Sequence, residues 1–258
     1  MIRWRAPASA LVALAAILLS PPAAADTRVL SRASLTEPLA YEQIVRSSGT
    51  RRDYRVRVWA PMSSAARTPG AAGALFVLDG QSDAGLAAAI AREAESVNPA
   101  AARWVITVSP ATDEVAQSFR RPDAFDGGDY PGFAGFLADE LLPLLRDRHG
   151  FTRANLLGTG NGGRAALESL ARDPDAFALV LAADPAIDEA RVCALADAIP
   201  PPAQPGHAPK LVLSWTSAPH MVAMPLMILP QSLAAGGRPA EWHVNLGAAE
   251  LIAMGLSK

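Results

Sequence analysis

The segment with the most chemical potential is a run of glycines, Gly158-Thr159-Gly160-Asn161-Gly162-Gly163. It lies between the apolar Leu156-Leu157 and a helical stretch that starts at Arg164. Three chemistries use such a run. The first is phosphate cradling by the dinucleotide fingerprint G-x-G-x-x-G. Gly158, Gly160 and Gly163 fit it, and Asp184, 21 residues after Gly163, would suit a ribose-binding acid. The second is the nucleophile elbow G-x-S-x-G, a sharp strand-to-helix turn that lifts an oxygen above the sheet. Gly158 and Gly162 match its flanking glycines, and Gly160 stands at the serine position. An elbow holds its central residue in a strained backbone conformation, which glycine adopts at least cost. Glycine at residue 160 therefore keeps the turn and removes the nucleophile. The third reading is a glycine turn that only lets strand and helix pack closely.

The surrounding sequence predicts the elements that would position this turn. Residues Leu39 to Arg46 and Tyr54 to Trp59 read as strands. In the second, Tyr54, Val56 and Val58 alternate with Arg55, Arg57 and Trp59, the mark of a half-buried strand. Ser47-Ser48-Gly49-Thr50 between them predicts a hairpin. Continuous apolar runs follow at Ala74 to Leu78, Trp104 to Val108, Asn155 to Leu157, Ala178 to Ala183, Leu211 to Trp215 and Trp242 to Leu246. Such runs predict strands covered on both faces. Helices are expected at Leu86 to Val97, Pro131 to Arg148, Arg164 to Arg172 and Ile187 to Ala198. The second of these shows Phe133, Phe136, Leu137, Leu141 and Leu144 at helical spacing. Two strands followed by repeated strand–helix units predict an α/β fold: a doubly wound, mostly parallel sheet of about eight strands with an N-terminal antiparallel hairpin. Ligands in such sheets sit at the carboxyl ends of the strands, where the glycine turn lies.

The chain has 258 residues, 50% hydrophobic and 19% charged, which excludes a disordered chain. Arg3 and Arg5, the apolar stretch Ala10 to Leu19 and the small residues Ala23-Ala24-Ala25 form a secretory signal peptide pattern. Ten apolar residues are too few to span a bilayer, so no stable membrane anchor is expected after cleavage behind Ala25. Residues 1–25 are thus read as a leader and 26–258 as one domain, periplasmic or secreted. Without Arg3 and Arg5 the 23 basic residues fall to 21 against 25 acidic, a balance of −4. No basic surplus points to nucleic acid. The single cysteine, Cys193, excludes an internal disulfide framework and a cysteine-based zinc site. No His/Asp/Glu cluster has metal-ligand spacing, so no metal or cofactor is expected. Four or five strands precede the glycine turn, and an exported protein meets little free dinucleotide; both weigh against the first reading.

The order of several short anchors resembles a known group. They are Tyr54 to Pro61 (YRVRVWAP), Leu75-Phe76-Val77-Leu78-Asp79-Gly80-Gln81, Arg121 with Asp123, Gly127-Gly128, Phe133, Phe136-Leu137, Glu140 to Pro143, the Gly158–Gly163 turn, Pro174 with Phe177, and Asp184-Pro185. Together they resemble the esterase group of the α/β-hydrolase superfamily, the esterase-D-like and siderophore (enterobactin) esterases, with mycolyltransferases more distant. The resemblance covers roughly Tyr54 to Pro185. It implies an α/β-hydrolase fold, ester hydrolysis by a Ser–His–acid triad, and a small ester or acyl-type ligand.

Carried over position by position, the resemblance finds none of the three triad side chains. The nucleophile position is Gly160. The acid is expected after the Leu211–Trp215 strand, yet Lys210 to Ala240 contains no Asp or Glu. The histidine is expected near Gly247-Ala248-Ala249, where there is none. The oxyanion-hole groups are backbone N–H groups of Asn161 and of Gly80 or Gln81, which survive any side-chain change. The expectation is an esterase-like protein without an intact triad and with a binding role; no protein partner can be named. The rival is an active ester hydrolase with a relocated triad, for which Ser214, Ser217, His220 and Asp184 lie at or near strand ends. Thr159 adjoins the turn with its oxygen expected to point away from the apex. Asp79 reads as a cleft residue or as a partner of its own turn. Arg121, with Arg120 and Asp123, reads as a cleft residue or a solvated surface group. His149 and His207 are expected at the surface.

Overall fold

The computed structural model describes residues 39–78, 84–111, 129–199, 210–215, 229–231, 233–235, 237, 240–244, 246 and 248–256. The strands are β1 (Tyr41–Arg46), β2 (Asp53–Trp59), β3 (Gly73–Leu78), β4 (Arg103–Pro110), β5 (Ala154–Thr159), β6 (Leu179–Ala183), β7 (Lys210–Trp215) and β8 (Ala240–Val244). They form one sheet in the order β1-β2-β4-β3-β5-β6-β7-β8. The hairpin pair β1–β2 and the pair β2–β4 are antiparallel, and every pair from β4 to β8 is parallel. This is the expected sheet of eight strands with its antiparallel start.

Helices cover both faces. They are α1 (Ala84–Val97), α2 (residues 130–149), α3 (Gly160–Arg172), α4 (Glu189–Ala198) and α5 (Ala248–Leu256). The larger core lies between α2, α3, α4 and the face that carries Tyr54, Phe76, Leu156 and Leu213. The smaller lies between α1, α5 and the face with Leu75, Val77, Val105, Leu157 and Val212. Strand alternation sends neighbouring residues of one run into different cores, which is why the runs are apolar without interruption. Tyr54 stacks on Phe136 at 4.3 Å and joins the hairpin to α2.

Helix α2 departs from the simple amphipathic reading. Tyr130–Gly135 and Leu142–His149 are α-helical, and Phe136–Leu141 is a π-helical turn. A π turn inserts one residue and rotates the helix face beyond it. Leu144, expected in the apolar stripe, is therefore 49% exposed, while Leu142 and Leu145 are buried. Glu140 within the π turn accepts from Ser47 Oγ (3.1 Å), Ser48 N–H (2.8 Å) and Gly49 N–H (3.3 Å), which fastens the hairpin turn to α2. His149 at the end of α2 is not a plain surface residue. Its Nε2 accepts from the Tyr41 hydroxyl at 2.6 Å, and its ring lies 4.2 Å from that of Trp104. Burial, then the neighbouring Arg148, pushes its pKa below the ordinary value.

Three boundaries also shift. Helix α3 begins at Gly160, four residues before the expected start at Arg164. Strand β8 covers Ala240–Val244 where Trp242–Leu246 was expected, and α5 was not expected at all. Its Leu251, Ile252 and Leu256 close the smaller core.

Candidate functional site

The parallel strands β5, β6 and β7 end side by side, and the glycine turn sits on the central one of these ends. Its shape follows from what each glycine meets. A Cβ on Gly158 would lie 2.0 Å from the carbonyl oxygen of Gly162, so no side chain fits where β5 passes the start of α3. A Cβ on Gly163 would lie 2.9 Å from the Ala183 carbonyl oxygen, which sets how closely α3 approaches β6. Gly160 differs. Its φ is +53°, the left-handed region that side chains disfavour, and a Cβ there would meet nothing within 4 Å. The apex is strained in backbone and open in space.

Residues around the apex hold it from three sides. The Gly160 carbonyl accepts from Ala186 N–H at 2.9 Å, which ties the turn to the segment after β6. In that segment Asp184 also has positive φ, +41°, and its N–H donates to the Ser214 carbonyl at 2.8 Å. The buried Tyr130 hydroxyl donates to Asn161 Oδ1 at 3.1 Å, and the Arg164 guanidinium lies 4.2 Å over the Tyr130 ring. Below the turn, buried Glu168 of α3 takes a two-pronged contact from Arg191 of α4, with one bond at 2.7 Å from Arg191 Nε. That contact raises the Arg191 pKa.

Chemically the apex offers backbone donors and no oxygen. The first turn of a helix leaves N–H groups without intrahelical partners, and the helix dipole adds positive potential there. Thr159 is extended, precedes α3 and makes no side-chain cap bond. Ser214 is 0% exposed, and its Oγ has no hydrogen-bond partner among the described residues, so it is closed to a substrate. His243 in β8 has Nε2 3.6 Å from Glu241 Oε2, a contact within its own strand. His149 lies in the Tyr41–Trp104 cluster described above. Among the described residues no group of three His, Cys, Asp or Glu side chains could hold a metal. Among them, too, no helix is long and apolar enough to cross a membrane.

Of the predicted site residues, the structure brings together Gly160, Asn161, Thr159 and Asp184. Asp79, Gly80, Gln81, Arg121, Ser217 and His220 lie outside the described residues. Tyr130 and Arg164 were not anticipated at the site. Asp129, whose carboxylate caps α2 through Gly132 N–H at 3.0 Å, marks the helix start in the sequence. Nothing in one sequence links residue 130 to residue 161.

The Putative esterase family model matches residues 47–227, and the chain belongs to that family. No curated protein matches the sequence. Three solved structures are similar. Siderophore hydrolase EstB from Aspergillus nidulans has a TM-score of 0.65 at 16% identity, over 86% of this chain and 92% of that one. Siderophore hydrolase EstA from the same organism has a TM-score of 0.62 at 20% identity, over 84% and 92%. The enterobactin esterase of Shigella flexneri, solved in the presence of 2,3-di-hydroxy-N-benzoyl-serine, has a TM-score of 0.61 at 16% identity, over 86% of this chain and 58% of that one. At these identities the likeness is one of fold, and it is the α/β-hydrolase fold expected from the sequence.

Proposed function

We propose that this chain is an exported esterase-fold protein that binds a small ester or acyl-type ligand at the elbow and does not hydrolyse it through the family's serine position. One observation carries the reading. Gly160 occupies the apex of a well-formed elbow, with φ +53° and open space above it, and has no oxygen to attack with. The lack of Asp or Glu from Lys210 to Ala240, and of His after His243, supports it. The donors remain. Asn161 N–H at the start of α3, with Gly80 or Gln81 N–H from the loop after β3, would accept a carbonyl oxygen, as an oxyanion hole does. Tyr130 and Asn161 would frame that oxygen. The ester class of the ligand rests on the family and on the enterobactin and siderophore named for the similar structures. Residues 1–25 would act as the export leader and 26–258 as a single domain, which places the protein in the periplasm or outside the cell.

The test takes the chain recovered after export. Its mass should show cleavage behind Ala25. Short-chain p-nitrophenyl esters should be hydrolysed no faster than in buffer, and a fluorophosphonate probe should leave no adduct. 2,3-Dihydroxy-N-benzoylserine should give a saturable change in tryptophan fluorescence. Gly160→Ser should fold and stay inactive, since its acid and histidine partners are missing. Turnover that the fluorophosphonate blocks would overturn the non-catalytic reading and locate a nucleophile at another serine.

A further inference from the structure

At the opposite ends of the strands from the elbow lies a second concave site. The cleft has a volume of about 170 Å³ and runs between the Gly70–Gly73 turn before β3, Arg103 at the start of β4, and Thr152-Arg153 before β5. Asn155, 4% exposed, forms its inner wall. Gly73 and Arg103 are register partners on β3 and β4, and Asn155 is the partner of Leu75 on β3. Strand alternation puts Gly73, Arg103, Arg153 and Asn155 on one face of the sheet, the face packed by α1 and α5.

Two cations meet here without an anion. No acidic residue lines the cleft among the described residues. The Arg103 side chain is laid across Gly73, where a Cβ would stand 3.2 Å from its Cδ and 3.3 Å from its Nε. Arg103 Nη1 donates to the Ala100 and Ala102 carbonyls at 3.1 and 2.8 Å, which fixes the guanidinium in place. Its other N–H groups make no hydrogen bond to protein among the described residues. The Arg153 backbone is held by Ala74 N–H at 2.9 Å, and its exposed side chain makes no ion pair among the described residues. Burial first, then the charge of Arg153, lowers the Arg103 pKa, the mark of a cation beside a like charge. On a chain of net charge −2, such a pair is a local reversal of sign.

We infer that this cleft is an anion-binding site for a small phosphate-like oxyanion, held between the Arg103 and Arg153 guanidinium groups with the Thr152 hydroxyl and the Asn155 amide beside it. Planar guanidinium groups bind such oxygens in pairs of charge-assisted hydrogen bonds. A water takes about 30 Å³, so the cleft holds a tetrahedral oxyanion with a few waters. The site is separate from the elbow and independent of the ligand proposed there.

The probe is inorganic phosphate, titrated into the mature chain by calorimetry at constant ionic strength set with chloride. One saturable site is expected. Arg153→Gln, an exposed substitution that leaves the Arg103 contacts intact, should weaken it about tenfold or more, the usual effect of losing a charge-assisted pair. Thr152→Val should weaken it less, and thermal unfolding of each variant should match the parent in phosphate-free buffer. Absence of a saturable site, an equal response to chloride, or unchanged affinity in Arg153→Gln would each overturn the proposal. The last outcome would place phosphate elsewhere, with the helix start at Gly160 as the alternative.

Discussion

The elbow at Gly158–Gly163 and the hairpin turn between β1 and β2 are both tight reversals with a residue at positive φ, Gly160 at +53° and Arg51 at +57°. They are held by different means. The elbow rests on backbone packed against backbone, with glycines where a Cβ would collide. The hairpin rests on one carboxylate, Glu140, which gathers three donors from Ser47, Ser48 and Gly49. A turn of the first kind keeps its shape whatever its apex carries. A turn of the second kind depends on a single side chain and on its ionisation.

Three substitutions would break or sharpen this contrast. The largest effect belongs to Gly158→Ala, because the new methyl would meet the Gly162 carbonyl at 2.0 Å, a backbone atom that cannot swing aside. Urea denaturation should show a loss of about 3 kcal/mol or more, at the upper range for overpacking. A loss below about 1 kcal/mol would mean that strand and helix separate there at little cost, against the close-packed elbow. Glu140→Gln comes second, with about 1–2 kcal/mol for weakened bonds to a charged acceptor. It also carries a pH signature. Burial pushes the Glu140 carboxyl up, but the Ser48 and Gly49 N–H groups and the Ser47 hydroxyl together hold it below its ordinary value. Its contribution is therefore complete above the ordinary glutamate pKa of about 4.3 and is lost as pH falls through the lower folded value. The parent should lose stability over that acid range, and Glu140→Gln should lose less of it. Equal acid slopes would refute the carboxylate's role. The smallest effect is expected at Gly160→Ala, about 1 kcal/mol at any pH, from backbone strain alone. A substantially larger loss would show that the open space above the apex is needed for folding.

Much of the architecture was legible in the sequence because both faces of the central strands are covered. Leu75 and Val77 enter one core while Phe76 and Leu78 enter the other, so the run is unbroken and easy to read. Strand β8 was displaced by two residues because it is an edge strand containing Glu241 and His243, and such a mixed pattern marks its ends poorly. Leu144 was misplaced because a π turn is not encoded in the spacing of apolar residues. The elbow could be read because its glycines are demanded by local geometry, over six consecutive residues. Tyr130 and Arg164 could not, since their meeting with Asn161 and with each other depends on how α2 docks against α3. The arginine cleft escaped for the same reason: Gly73, Arg103 and Arg153 are neighbours only across strands.

The π turn of α2 makes chain length an angular variable. Along an ordinary loop, an added or deleted residue is absorbed by slack. Between Phe136 and Leu141 a one-residue deletion would restore the regular helix and turn everything after it by about 100°. Leu144 would swing toward the core and Leu145 away from it. The same rotation would carry His149 off Trp104 and Tyr41, and with it the anchorage of the edge strand β1. For a lineage of such proteins, this six-residue stretch is therefore a place where length is inherited as strictly as composition is elsewhere.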